Sequence, residues 1–180
     1  SLSFGAPPVI TSASSISYAE NSTSTVITIT SNDVDSDAVT YGISGTDADD
    51  FNINSSSGAL TFKTAPNYES PTDSDTNREY VVIITVTDDG SGNLTDTQTL
   101  TITVTDVNEA PVITSASSAS FAENSTSTVI TITSDDVDSD DVTYGISGTD
   151  EDDFNINSIS GDLTFKTAPN YESPTDSDTN

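Results

Sequence analysis

The chain has 180 residues and a formal charge of -27, because 30 acidic residues face only three basic ones. Nucleic acids and anionic membrane surfaces are bound through Lys and Arg, so this composition excludes both as partners and favours cations. Histidine and cysteine are absent, which removes the usual nucleophile–base pairs of enzymes and the usual ligands of zinc and copper. We therefore expect no catalytic activity.

Short stretches that alternate apolar and polar residues run along the first part of the chain. Period-two alternation rich in Thr, Val and Ile predicts strands, and no window has helical spacing. The predicted strands are 8–11, 25–30, 39–43, 51–53, 60–62, 80–87 and 95–105. Such a pattern is typical of a seven-strand antiparallel Greek-key β-sandwich of the immunoglobulin-like type. The fold class predicted is all-β.

The segments between the predicted strands contain turn-forming residues. Asp89-Gly90-Ser91-Gly92-Asn93 and Ser57-Gly58 supply residues that tolerate positive φ. The segment 67–77 is polar and is predicted to be a surface loop.

The first unit is followed by a near-copy of itself. Residues 8–77 recur as 111–180, and the copies differ at seven positions of the first, which are 16, 18, 32, 38, 48, 56 and 59. Near-identity predicts one shared fold, hence tandem sandwiches. The second copy stops at Asn180, the counterpart of Asn77, so it lacks the last two predicted strands. We expect either a segment of a longer protein or completion by strands from a neighbouring chain.

Two carboxylates, an amide and a proline join the copies in Asp106-Val107-Asn108-Glu109-Ala110-Pro111. The preceding strand delivers these groups to one end of the unit, and Pro111 ends the strand ladder because it has no N–H to donate. We interpret the stretch as a metal-binding joint. The predicted organisation is a remnant of a preceding linker (1–7), a first repeat (8–107), a calcium-binding linker (108–111) and an incomplete second repeat (112–180).

Five motifs in order carry a family resemblance. They are Tyr18-Ala19-Glu20-Asn21, Asp33-Val34-Asp35, Asn67-Tyr68-Glu69, Asp88-Asp89-Gly90 and the joint motif 106–111. Together they resemble the cadherin repeat, with its early acidic-Asn motif, its Asp-x-Asp, its Asp-Arg-Glu, its late Asp and its acidic linker. Here Asn67 and Tyr68 depart from Asp-Arg-Glu, Glu109 stands where Asp is usual, and Ala110 replaces an Asn that acts through its carbonyl.

The resemblance implies calcium ions between successive repeats. The implied ligands are Glu20, Asn67, Glu69, Asp106, Asn108, Glu109, Asp136 and Asp138, with the backbone carbonyls of Val107 and Ala110. It also implies half-sites for neighbouring repeats, at Asp33, Asp35 and Asp88 on one side and at Glu123, Asn170 and Glu172 on the other. The late Asp of the second repeat would fall beyond Asn180.

The chemistry of these side chains independently favours calcium, which takes six to eight oxygen ligands from carboxylates, amides and carbonyls. The joint collects six acidic side chains, and two charges about 5 Å apart repel by roughly 3 kcal/mol at an effective dielectric near 20. Three calcium ions would neutralise the set.

The remaining polar and aromatic residues are interpreted structurally. Asp47, Asp49, Asp50, Asp73 and Asp75 fit no joint and are expected to be solvated loop charge, while Asp37 and Asp141 stay undecided. The aromatic residues fall mostly on alternating strand positions, so we expect core packing rather than a sugar platform. Four matches to the glycosylation sequon, beginning at residues 21, 54, 93 and 124, are explained by the abundance of Asn, Ser and Thr.

These inferences favour a calcium-rigidified extracellular spacer in a bacterial cell-surface adhesin, acting in cell adhesion or biofilm attachment. Its partners would be calcium and adjacent repeats of the same protein, with no membrane insertion of this segment. One alternative is a segment of a self-assembling filament, in which other copies of the chain complete the second repeat. Another is a module that binds cell-surface glycans, and a carboxylate pair for glycoside cleavage is formally open.

Overall fold

A computed structural model describes residues 5–177. These residues form two compact units, the first ending at Val107 and the second beginning at Asn108. Helical structure in the described range is limited to the 3-10 turns Ala48–Asp50 and Glu151–Asp153. No helix in this part of the chain is long and apolar enough to cross a membrane. Most of the predicted remnant 1–7, together with 178–180, lies outside the described residues.

Residues 5–107 of the first unit contain nine strands. They are β1 Val9–Ile10, β2 Ser15–Ala19, β3 Ile27–Thr28, β4 Ser31–Asn32, β5 Val39–Ser44, β6 Phe51–Ile53, β7 Ala59–Phe62, β8 Glu79–Asp88 and β9 Thr95–Thr105. One sheet has the order β2-β9-β8-β5, a second has the order β3-β7-β6, and β1 pairs with β4. The two larger sheets enclose one core.

Strand β2 differs from the prediction in two ways. The predicted strands do not include Ser15–Ala19, yet this segment pairs with β9, and the pairing is parallel, with Ser15 opposite Thr101 and Ala19 opposite Thr105. The sandwich is therefore not purely antiparallel. Only Ile16 and Tyr18 of this strand face inward. The apolar–polar alternation therefore has only two apolar members, with serines around them, and is too short to indicate a strand.

The predicted strand 25–30 is also shorter in the structure, because only Ile27 and Thr28 pair in register with β7. The flanking Val26 donates its N–H to Leu60 O, and Ile29 donates to Gly58 O. Gly58 has φ 73°, and a side chain there would overlap the Ile29 carbonyl. Ile29 therefore bonds to the turn that precedes β7 and does not continue the regular pairing of β3 with β7.

The core lies between the inward faces of the two sheets. Alternation along β8 buries Tyr80, Val82, Ile84 and Val86 and leaves Val81 and Ile83 partly exposed. Burying a side chain of this size contributes about 1.5–3 kcal/mol. Six aromatic residues in the described part of the first unit lie in or against this core, as expected for residues that fall mostly on strand positions; they are Tyr18, Tyr41, Phe51, Phe62, Tyr68 and Tyr80.

The segment 67–77 is held to the core by two buried aspartates, and this corrects the expectation that both are solvated. Asp47 is 4% exposed and Asp73 is 3% exposed. Asp47 accepts the N–H groups of Ser74 at 2.9 Å and Val81 at 2.7 Å. A charged group buried in this way needs hydrogen-bond donors, and the backbone supplies them here.

The second unit forms a smaller set of strands from nearly the same sequence. They are β10 Val112–Ile113, β11 Ile130–Thr131, β12 Ser134–Asp135, β13 Phe154–Ile156 and β14 Asp162–Phe165. The sheet order is β11-β14-β13, and β10 pairs with β12. Segments 118–122 and 142–147, the counterparts of β2 and β5, are not strands, because counterparts of β9 and β8 do not occur among residues 108–177.

An apolar groove accompanies these missing pairings in the second unit. It has a volume of about 710 Å³ and is lined by side chains that include Ile113, Ile132, Tyr144, Ile146 and Leu163. In the first unit the equivalent face is covered by β8 and β9.

Candidate metal sites

Glu20 lies at the end of the first unit where β9 finishes. It directly follows β2 and is 2% exposed. Its Oε1 accepts the N–H of Val107 at 2.8 Å, and its Oε2 accepts the N–H of Tyr68 at 2.7 Å. One carboxylate thus ties the chain leaving β9 to the segment that follows β7. Each oxygen keeps a further lone pair that can coordinate a cation.

The other predicted ligands of the first unit surround this end. Asn67 is exposed, and its Oδ1 accepts the N–H of Ser70 at 2.6 Å. Glu69 is partly buried. Asp106, which directly follows β9, is exposed. Arg78 stacks on the Tyr68 ring at 4.2 Å from its centroid and donates from Nε to the Tyr68 carbonyl at 2.8 Å. Tyr68 stands where the family motif has Arg, and Arg78 from another segment of the unit contacts both its ring and its carbonyl.

The second unit begins with the linker and anchors it on the Asp-x-Asp motif. The N–H of Glu109 donates to Asp138 Oδ2 at 2.6 Å. Asp136 Oδ1 accepts the N–H of Asp138 at 3.0 Å and that of Asp140 at 3.4 Å. Asp136, Asp138 and Asp140 each offer one carboxylate oxygen within 4.8 Å of the others. Asn108 and Ala110 are exposed beside them.

The same arrangement recurs in the first unit at the predicted half-site. The N–H of Ala6 donates to Asp35 Oδ2 at 2.5 Å. Asp33 Oδ1 accepts the N–H of Asp35 at 2.8 Å. Asp33, Asp37 and Asp88 offer carboxylate oxygens within 4.8 Å of one another. In each Asp-x-Asp motif the first Asp thus accepts the N–H of the second, and the second Asp accepts a backbone N–H from the beginning of its own unit.

The half-site predicted at the far end of the second unit is more open. Glu123 is exposed and accepts the N–H of Tyr171 at 3.1 Å, as Glu20 does from Tyr68. Asn170 Oδ1 accepts the N–H of Glu172 at 3.0 Å. Within residues 108–177 the Glu123 carboxylate therefore repeats one of the two backbone hydrogen bonds made by Glu20.

Several buried carboxylate oxygens accept no hydrogen bond within the described residues. Their surroundings show whether the sites fit a cation. Asp33 Oδ2, Asp88 Oδ2 and Asp138 Oδ1 are buried and accept no hydrogen bond from residues 5–177. In the same range the one salt bridge pairs Lys166 with Asp152. Burial of such oxygens is unfavourable without a compensating charge or donor. The donor set consists of oxygens alone, so these sites fit a hard cation such as calcium.

The electrostatics of the first-unit cluster agree with this fit. Partial desolvation, followed by the charges of Asp33, Asp88, Asp89 and Asp35, raises the pKa of Asp37 above its ordinary value. Like charges this close disfavour ionisation, and a bound cation reverses that effect.

Sequence reasoning left Asp37 undecided and did not consider Asp140, its counterpart. The structure places both in acidic clusters, whereas the other undecided residue, Asp141, is exposed outside them. The run Asp33-Val34-Asp35-Ser36-Asp37 contained a sequence signal for this role. Acidic residues at every second position can place their carboxylates around the same cation.

Comparisons with known proteins agree with this architecture. The sequence model described as "Cadherin domain" matches residues 14–105, which is just over half of the 180 residues. No curated protein sequence matches the chain.

Solved structures of cadherin extracellular fragments share the fold. The Form II crystal structure of human protocadherin-24 EC1-2 has a TM-score of 0.67 at 23% identity, over 94% of this chain and 81% of that one. Drosophila N-cadherin EC1-4 has a TM-score of 0.60 at 24% identity, over 91% and 41%. Mouse cadherin-23 EC22-24 has a TM-score of 0.53 at 22% identity, over 93% and 56%. The predicted all-β sandwich class and the predicted family resemblance are confirmed.

Proposed function

Because the chain belongs to the cadherin domain family, we propose that it is a calcium-binding repeat segment of an extracellular cell-surface adhesin. Calcium would stiffen it into a spacer that holds a more distal binding domain away from the cell. Cadherin domains are structural adhesion modules rather than enzymes, and the absence of His and Cys from the sequence agrees with that role. A bacterial surface and biofilm attachment are the setting that we propose from the low Lys content and the near-identical copies.

The proposed ligands at the joint are contributed by both repeats. They are Glu20, Asn67, Glu69 and Asp106 from the first repeat, Asn108 and Glu109 from the linker, Asp136 and Asp138 from the second repeat, and the carbonyls of Val107 and Ala110. When bound, calcium supplies positive charge and several coordination positions that carboxylates from different segments can share. Glu20 orients the linker through Val107, and Asp138 orients it through Glu109.

The observation that carries the proposal is the set of buried carboxylate oxygens without donors within residues 5–177, at Asp33, Asp88 and Asp138. Such oxygens destabilise the folded chain unless a cation approaches them. They occur in both units at corresponding motifs, which supports a repeated cation site rather than a general acidic surface.

Calorimetric titration with calcium tests the proposal, together with small-angle scattering before and after addition. Extracellular calcium modules commonly bind at about 10⁻⁴–10⁻³ M, and we expect binding in this range with a longer, stiffer particle. Asp138→Asn keeps the shape of the side chain but removes its charge, so it should lose most of the stiffening at the joint. Asp49→Asn is the matched control, since Asp49 is exposed and outside the clusters. A wild-type chain that binds no calcium at 10 mM, about tenfold above this range, would overturn the proposal.

A second candidate function, assembly into an extracellular filament, is favoured by the apolar groove of the second unit. Strands from another copy could pair with segments 118–122 and 142–147, which are unpaired as strands in the described chain. Light scattering across a concentration series tests this, because strand exchange predicts a mass that grows with concentration. A monomer at every concentration would exclude it.

A further inference from the structure

Asp37 lies outside every motif that indicated calcium, yet it belongs to the acidic cluster of the first unit. It is four residues after Asp33 and precedes β5, and it is partly buried. One of its oxygens lies within 4.8 Å of an oxygen of Asp33 and of an oxygen of Asp88. The cluster thus contains one carboxylate more than the Asp-x-Asp and late-Asp motifs require.

Asp88 provides an independent indication that a ligand belongs in this cluster. Its side chain is 4% exposed. Its Oδ1 accepts the N–H of Leu94 at 2.8 Å, whereas its Oδ2 is buried and accepts nothing from the residues that the structure describes. The hydrogen bond to Leu94 fixes the carboxylate, so the second oxygen is held in place without a partner.

The backbone on both sides positions Asp37 towards this oxygen. The Asp37 N–H donates to Asp33 Oδ1 at 3.4 Å. The neighbouring Ala38 N–H donates to Asp89 Oδ1 at 2.8 Å, and the Asp89 N–H returns a bond to the Ala38 carbonyl at 2.9 Å. The segment bearing Asp37 is therefore bonded to Asp89, the residue that directly follows Asp88 at the end of β8.

Gly90 provides the space in which the Asp37 carboxylate lies. A Cβ built on Gly90 would overlap Asp37 Oδ2, and it would also come within 3.6 Å of Asp88 Oδ1. The φ angle of Gly90 is not among the positive values found in the chain, so the backbone here does not require glycine. The missing side chain instead leaves room for the carboxylate.

We propose that Asp37 is a direct cation ligand, forming a three-carboxylate site with Asp33 and Asp88. This inference rests on the proposed calcium binding and adds to it a ligand from outside the recognised motifs. Three carboxylates around one divalent ion leave a net negative site, which favours divalent over monovalent cations. Calcium also tolerates the irregular geometry of a loop better than magnesium, which demands near-ideal octahedral coordination.

Calcium titration of matched variants tests the role of Asp37, with calorimetry for affinity and carboxyl carbon chemical shifts by NMR for direct ligation. Asp37→Ala should weaken binding at the first-unit site by at least about tenfold, the scale on which coordination-shell groups act. Asp89→Asn removes the same charge at the residue next to Gly90, and its Asn oxygen can still accept the Ala38 N–H. It should change the affinity by less than about threefold, as expected for a nearby charge that is not a ligand.

Gly90→Ala separates the position of the Asp37 carboxylate from its charge, because it keeps Asp33, Asp37 and Asp88 and displaces the Asp37 carboxylate. It should also weaken calcium binding, whereas Gly42→Ala, whose added Cβ meets nothing closer than the Thr85 carbonyl at 4.0 Å, should not. The carboxyl carbon of Asp37 should shift on calcium addition in the wild type.

The outcomes distinguish this inference from the proposed function. If the wild type binds no calcium, both fail. If it binds calcium while Asp37→Ala behaves like Asp89→Asn and the Asp37 carbon does not shift, the proposed function stands and Asp37 is no ligand. Circular dichroism of each variant without calcium confirms that it is folded; should Asp37→Ala fail to fold, the wild-type carbon shift alone decides.

Discussion

At the scale of single residues, the acidic side chains divide into three groups by their surroundings. Some bond to backbone N–H groups inside the fold, as Asp47 and Asp73 do. Others converge with one buried oxygen each that accepts no hydrogen bond from the described chain, as Asp33 and Asp88 do. Asp49 and Asp75 are exposed, as expected for solvated charge. The same residue type therefore serves folding, cation binding and solubility, according to which partners the fold supplies.

Replacing Asp47 should destabilise the first unit. Asp47→Ala leaves the N–H groups of Ser74 and Val81 without their acceptor, and each such loss costs about 1–3 kcal/mol. We expect a decrease of about 2–4 kcal/mol in the free energy of unfolding, measured by urea denaturation. The exposed Asp49→Ala should change it by less than about 0.5 kcal/mol. Equal stabilities for the two variants would contradict the role assigned to Asp47.

Asp162 provides a pH-dependent prediction, because hydrogen bonds from Thr131 and Ser160 lower the pKa of its carboxyl below 3.8. A lowered pKa means that the ionised form stabilises the fold at neutral pH, and that this stabilisation is lost as the pH falls through the folded pKa. Asp162→Ala should therefore lower the melting temperature at pH 7, and the difference should vanish in strong acid.

The first unit supplies the matched control for Asp162, since Ala59 occupies its counterpart position and Thr28 and Ser57 match its two donors. Ala59→Asp should add the same acid-sensitive stabilisation there. Thermal unfolding of both variants at pH 7 and in strong acid checks this pair. A pKa of Asp162 above 3.8 in an NMR titration would contradict it.

At the scale of elements, near-identical segments adopt different structures in the two units. Ser15–Ala19 is strand β2 and pairs with β9, whereas 118–122 is not a strand. The two segments differ only at positions 16 and 18 of the first copy. A lone strand has no ladder partner, so these segments become strands only when the β8–β9 pair is present.

Supplying that pair should order the second unit. We expect a chain extended after Asn180 with a copy of 78–107 to convert 118–122 and 142–147 into strands. The new ladder hydrogen bonds should slow amide hydrogen exchange at both segments. A copy carrying Val82→Asp and Leu100→Asp is the control, because both residues are fully buried in the first unit. Exchange that is equally fast in both extended chains would contradict this explanation.

At the scale of the whole molecule, the charge of -27 opposes compactness in the absence of cations. Added salt shortens the screening length, from about 10 Å at 0.1 M to about 3 Å at 1 M. With a chelator present, sodium chloride should therefore raise the melting temperature, and the increase should be smaller at saturating calcium. Scanning calorimetry measures both series. A melting temperature that falls with salt in the chelated protein would show that self-repulsion does not limit its stability.

The sequence by itself determined the all-β class, the repeat and the acidic motifs at strand ends, because alternation and duplication are properties of neighbouring residues. Phe51–Ile53 and Thr95–Thr105 are strands with the bounds that alternation predicts. Only the tertiary structure decided that Ser15–Ala19 pairs in parallel, that Asp47 and Asp73 are buried, and that Asp37 meets Asp88. Each of these depends on a partner distant in the chain, and local pattern carries no information about which distant groups the fold brings together.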